Sequence, residues 1–88
     1  MLYYPEDLIL AVYELRRHGL SYRTIPVALK VLYPEVARRN PSFNHLTAWR
    51  IMRSIEKGRV KVEDGRVYEN PEWIQSRAKR LRALRRKT

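Results

Sequence analysis

Five side chains able to hold a phosphate or a base edge recur at helical spacing in the middle of this chain: Thr47, Arg50, Arg53, Ser54 and Lys57. At about 100° per residue they fall on one side of a helix over 44–57, with Leu46 at its N-terminal end. Ala48, Ile51, Met52 and Ile55 fall on the other side, and Glu56 lies off to the flank. Arginine offers a fork of N–H donors that fits the major-groove edge of guanine, and hydroxyls bond phosphate oxygens or base edges. Three cations and two hydroxyls with no acid among them suit contact with nucleic acid. The plain alternative is an ordinary solvated helix face. Asn44 and His45 open the segment and complete the candidate contact set on this helix. Trp49 flanks the apolar face and is expected in the core.

The whole composition points the same way. Nineteen Lys and Arg against nine Asp and Glu give a net charge of +10. Such an excess calls for a polyanionic partner, nucleic acid first and an anionic membrane surface second. Seven of the cations lie in 77–88, where there is no acid. With 88 residues, 44% of them apolar, there is room for one core. The absence of cysteine removes disulfides, Cys-based zinc sites and a Cys nucleophile. His18 and His45 lack companions at metal-ligand spacing, so no cofactor or metal is expected. No nucleophile–His pair, paired carboxylates or Gly-rich phosphate loop points to an enzyme. No apolar run is long enough for a membrane span and no basic leader opens the chain, so a cytoplasmic protein is expected. Arginine outnumbers lysine fourteen to five, which leans toward a thermophilic source.

Several elements must position the cationic face. Pro5, Glu6 and Asp7 start a helix over 5–18, whose stripe is Leu8, Ala11, Val12 and Leu15 and which Gly19 closes. Ser21 or Thr24 caps a second helix with Ile25, Ala28, Leu29 and Leu32 as its buried face. Thr24 keeps Pro26 in the first turn; Ser21 would require a kink. Tyr22, Arg23 and Lys30 lie outside that stripe, within reach of a phosphate backbone. Residues 34–43 read as a polar loop, with a single helical turn over 34–37 as the alternative. Ser42 or Asn44 then caps the helix over 44–57, which Gly58 ends.

Beyond it the period changes. Val60 and Val62 alternate with Lys61 and Glu63, and Asp64-Gly65 demands positive φ twice, the mark of a type I′ hairpin. A two-residue turn pairs Glu63 with Arg66 and Val62 with Val67. Val60, Val62 and Val67 then face the core, and Lys61, Arg66 and Tyr68 face away. Asn70, Pro71 and Glu72 open a last helix. Its apolar side is Trp73, Ile74, Ala78, Leu81 and Leu84. Arg77, Lys79, Arg80, Arg82, Arg85, Arg86 and Lys87 cover much of the rest.

Helix, helix, helix, hairpin, helix is the order of parts in a winged helix-turn-helix domain, and the chain resembles that superfamily from about Pro5 to Tyr68. LSYRTIPVALKVL followed by LTAWRIMRSIEKG is also similar to the helix-turn-helix of recombinase and transposase DNA-binding domains. The resemblance implies a mainly α fold with a small β-hairpin. Residues 1–70 would form the winged domain, and 71–88 an added basic amphipathic helix. It implies that 44–57 is the recognition helix and 60–68 the wing. Thr47, Arg50 and Arg53 would then touch bases or nearby phosphates, and Lys61 and Arg66 would act from the wing. The paired helices of the superfamily are joined by three or four residues, where here the gap is about ten.

The leading expectation is a small DNA-binding transcriptional regulator. Arg23, Arg77, Arg80, Arg82, Arg85, Arg86 and Lys87 would add phosphate contacts. Trp73, Ile74, Ala78 and Leu81 would form a homodimer seam, unless that side packs on the first helix. An RNA-binding or ribosome-associated protein is the second reading, and a protein-interaction accessory subunit the third.

Overall fold

The structure, a computed structural model, describes residues 2–86, with side chains described through Ala83. Five helices and one hairpin follow in order: α1 (Glu6–Arg17), α2 (Ile25–Leu32), α3 (Pro34–Arg39), α4 (His45–Glu56), β1 (Val60–Glu63), β2 (Arg66–Glu69) and α5 (Pro71–Arg86). The fold is mainly α with a two-stranded antiparallel sheet, and its topology is winged-helix-like in general outline.

The core forms where the apolar stripes converge. Leu8, Ile9, Ala11, Val12 and Leu15 of α1 meet Ile25 and Leu29 of α2, Val36 of α3, Ala48 and Ile51 of α4, and Val60 and Val67 of the hairpin. α1 is central to this arrangement, touching α2, α4 and β2. Burying each large aliphatic side chain stabilises the fold by about 1.5–3 kcal/mol.

Residues 34–39 correct the loop expectation. Pro34 begins α3, Glu35 sits in its first turn, and Arg38 pairs with Glu35 one turn on. Val36 is buried in the core, and Ala37 packs against it. The helical turn expected as the alternative over 34–37 is present and runs on to Arg39, with burial of Val36 holding it. α3 also shortens the gap before α4 to the five residues 40–44. It changes α2 as well. Leu32, expected on the buried face, is 62% exposed. Leu32 is the last residue of α2, and beyond it the core is reached by Tyr33, Val36 and Ala37 instead.

The start of α2 draws on both candidate caps. Thr24 is the N-cap, and Pro26 lies in the first turn. Ser21 organises the preceding turn: its Oγ lies 2.7 Å from Thr24 Oγ1 and accepts from the Thr24 N–H at 3.3 Å. α1 begins one residue later than expected, with Pro5 as its N-cap.

The hairpin has the expected register, Val62 opposite Val67 and Glu63 opposite Arg66. Asp64 (φ 50°) and Gly65 (φ 72°) supply the positive φ values of the turn. Asn70 ties its base. Its N–H donates to the Arg59 carbonyl (2.9 Å), its Nδ2 donates to the Gly58 carbonyl (2.7 Å), and its Oδ1 caps α5 through the Glu72 N–H (3.1 Å). α5 does not pack along α1. Ile74 and Leu81 are 46% and 52% exposed, and the molecule is drawn out to 51 Å along its long axis.

Urea denaturation should separate core from surface. Ile51→Ala should cost about 2–5 kcal/mol of stability, whereas Leu32→Ala should stay within about 0.5 kcal/mol of the parent. A large drop in stability from Leu32→Ala would mean that its side chain is covered after all.

Candidate nucleic-acid interface

α4 begins with a reciprocal cap. Asn44 Oδ1 accepts from the N–H groups of Leu46 (2.9 Å) and Thr47 (3.1 Å), and Thr47 Oγ1 accepts from the Asn44 N–H (3.4 Å). This box satisfies backbone donors that a helix start otherwise leaves open. It also commits two residues expected to touch ligand. Asn44 and Thr47 set where α4 starts before they can do anything else. Ser54 is likewise engaged, donating to the Arg50 carbonyl one turn back (3.1 Å).

The cations are differently placed. Arg50, Arg53 and Lys57 are exposed, and among the described residues none of them makes an ion pair. With Ala48 and Ile51 sealed in the core, helical geometry turns Arg53 and Lys57 to the far side of α4. His45 and Leu46 are exposed at its first turn.

These cations border an open groove of about 470 Å³. Arg50, Arg53, Lys57 and Arg59 supply four charges, Tyr3, Tyr4 and Trp49 three rings, and Ser54 one hydroxyl; among the described residues no acid lines it. Trp49, expected in the core, is 48% exposed instead. One residue round from the apolar stripe, its ring lies toward the Arg53 guanidinium, 6.0 Å from the centroid. Tyr3 and Tyr4 come from the segment before α1, and no sequence spacing signals that they reach α4.

A run of cation–ring contacts leads from the groove to α5. Tyr4 meets Tyr3 edge-on at 5.3 Å; Arg59 lies over Tyr3 (5.8 Å) and over Trp73 (5.5 Å); Arg77 lies over Trp73 (5.6 Å). Each of the three cation–ring contacts contributes about 0.5–1 kcal/mol at an exposed site. Trp73 therefore fastens α5 to the body. Arg77, Lys79, Arg80 and Arg82 are exposed along it. Lys87 and the side chains of Leu84, Arg85 and Arg86 lie outside the described residues. Among the expected backbone contacts on α2, Arg23 and Lys30 are exposed, and Tyr22 is half-buried with Arg16 over its ring at 4.5 Å.

The two cations of the hairpin are differently engaged. Lys61 is exposed on its outward face. Arg66 is turned back onto α1, with Nε donating to Glu6 Oε2 (3.3 Å). The same oxygen accepts from the Val67 N–H (2.9 Å). Beside the turn runs a second groove, with Asp7, Glu14, Asp64 and Arg17 along an apolar floor that includes Leu10, Val36 and Val62. Its charges are largely paired, Asp7 with Arg39 and Glu14 with Arg17, unlike those of the groove at α4. On the outward face of the hairpin Tyr68 donates to Glu63, which holds its phenol above the ordinary value.

The Val67 N–H, and after it Arg66, hold the Glu6 carboxyl below the ordinary carboxylate range. The folded value lies beneath the unfolded one of about 4.3. The stabilisation is therefore present above that pH and disappears as pH falls through the folded value. Urea midpoints measured between about pH 5 and pH 3 should fall less steeply for Glu6→Gln than for the parent. Equal slopes would mean that Glu6 does not pin the hairpin.

No protein-family model matches the chain, and neither a curated protein nor a solved structure is significantly similar to it.

Proposed function

We propose that this chain binds nucleic acid, that its ligand is duplex DNA, and that it acts as a transcriptional regulator rather than an enzyme. The observation that carries the proposal is the outward face of α4, where Arg50, Arg53 and Lys57 stand exposed without internal acid partners. A helix about 10–12 Å across with its side chains fits a major groove about 12 Å wide. Arg50 and Arg53 would fork onto bases, with His45 beside them at the first turn. Lys57, Arg59 and Lys61 would meet phosphates, and Asn44, Thr47 and Ser54 would hold the helix in register. Arg66 reaches a backbone only by leaving Glu6, so it is the weakest member of the set.

α5 extends the charge. Arg77, Arg80 and Arg82 continue from the Arg59–Trp73 contact, and sequence alone adds Arg85, Arg86 and Lys87. These would raise affinity without reading sequence. The uncovered Ile74 and Leu81, with Ala78 between them and Trp73 at the root, make α5 the proposed homodimer element. Two copies of so cationic a helix repel one another, so pairing should strengthen as salt or DNA screens the charge.

RNA is the second reading, favoured by the exposed rings of the groove, because RNA-binding surfaces stack unpaired bases. Preference for single-stranded RNA over duplex DNA at equal salt would decide for it.

Selection from random duplex DNA should enrich a motif. Arg50→Ala and Arg53→Ala should each relax preference at one base pair by about 1–3 kcal/mol. Truncation after Ser76 should instead weaken all sequences alike and make the salt dependence shallower, by about 0.9 in log–log slope for each phosphate no longer neutralised. No enriched motif would count against a specific regulator. Light scattering at high protein concentration tests the seam, and a monomer at every salt would remove it.

A further inference from the structure

Cations alone would serve for any polyanion; the rings set among them are a separate observation. Tyr4, Tyr22 and Tyr33 pack against the core, as large rings ordinarily do. Trp49 and Tyr3 do not. Trp49 is 48% exposed and Tyr3 79% exposed, and both line the groove that holds Arg50, Arg53 and Lys57. Neither ring is loose. The Arg53 guanidinium lies 6.0 Å from the centroid of Trp49, and Arg59 and Tyr4 hold Tyr3 from two sides.

A regular duplex offers such rings little face-to-face contact. Its base faces are hidden in the stack, and only groove edges and phosphates meet a protein. An aromatic face gains its full contact from a base that has left the stack. Guanidinium groups beside the ring add attraction to the same base and to its phosphate.

We propose that this groove receives a displaced base: its ligand is duplex DNA carrying an unpaired or extruded nucleotide, as at a bulge or a fork. The base stacks on Trp49, Lys57 and Arg59 of the same groove hold the flanking phosphates, and Arg50 and Arg53 keep to the neighbouring base edges. The inference rests on the duplex reading above and narrows it.

The test compares three labelled DNAs of one sequence at equal salt by fluorescence anisotropy: a blunt duplex, the same duplex with one unpaired adenine, and a fork with short single-stranded arms. The bulged and forked forms should bind between about fivefold and about a hundredfold tighter than the blunt one, the range that one stacked base supplies. On a Trp73→Phe background, which keeps a ring beneath Arg59, Trp49 is the sole indole. Its emission should be quenched by the bulged duplex far more than by the blunt one. Trp49→Leu should bring the affinity ratio toward one. Equal affinity of the intact chain for all three DNAs, with Trp49 emission alike in each, overturns the inference and leaves duplex binding standing. A bulge preference that survives Trp49→Leu overturns it too. Failure to bind any of the three overturns both this inference and the reading beneath it.

Discussion

Ala48 and Ile51 are shut away from water against the α1 stripe, and that contact decides which way α4 faces. A helix has no freedom to bury one side and rotate the other independently. Once these two side chains point inward, Arg53 and Lys57 point out, with Arg50 and Trp49 on the shoulders. The cationic surface is thus a consequence of apolar packing. No ion pair is needed to aim it.

Two small polar devices hold the rest in relation to that helix. The Asn44–Thr47 box fixes where α4 begins. Asn70 fixes where the hairpin ends, closing onto Gly58 and Arg59 while it starts α5. Gly58 sits between α4 and the hairpin with φ +79°, a conformation that a side chain would strain. α4, the hairpin and α5 therefore meet within a few residues. Arg59, next to that junction, lies over both Tyr3 and Trp73.

The cations of the chain are not all equally available. Arg39 pairs with Asp7, Arg17 with Glu14, and Arg66 with Glu6, which also pins β2 to α1. The groove at α4 holds four cations and, among the described residues, no acid. The positive charge there is therefore left uncompensated by its own lining.

Periodicity and turn chemistry alone determined much of the fold: the stripes of α1 and α4, the hairpin register set by Asp64-Gly65, and the Asn70 cap. Each is a local matter, decided by residues a few positions apart. They also placed Arg50, Arg53 and Lys57 together, because about two helical turns carry that information. Other features were settled only by distant contacts. α3 is held because Val36 finds the core, while Leu32 at the end of α2 stays exposed. Trp49 flanks the core without entering it, since α1 and the hairpin already fill the space on the inner side of α4. Tyr3 and Tyr4 reach the cationic groove, and Arg66 turns to Glu6, across separations of tens of residues. No spacing rule spans such distances, so those placements are properties of the packed chain.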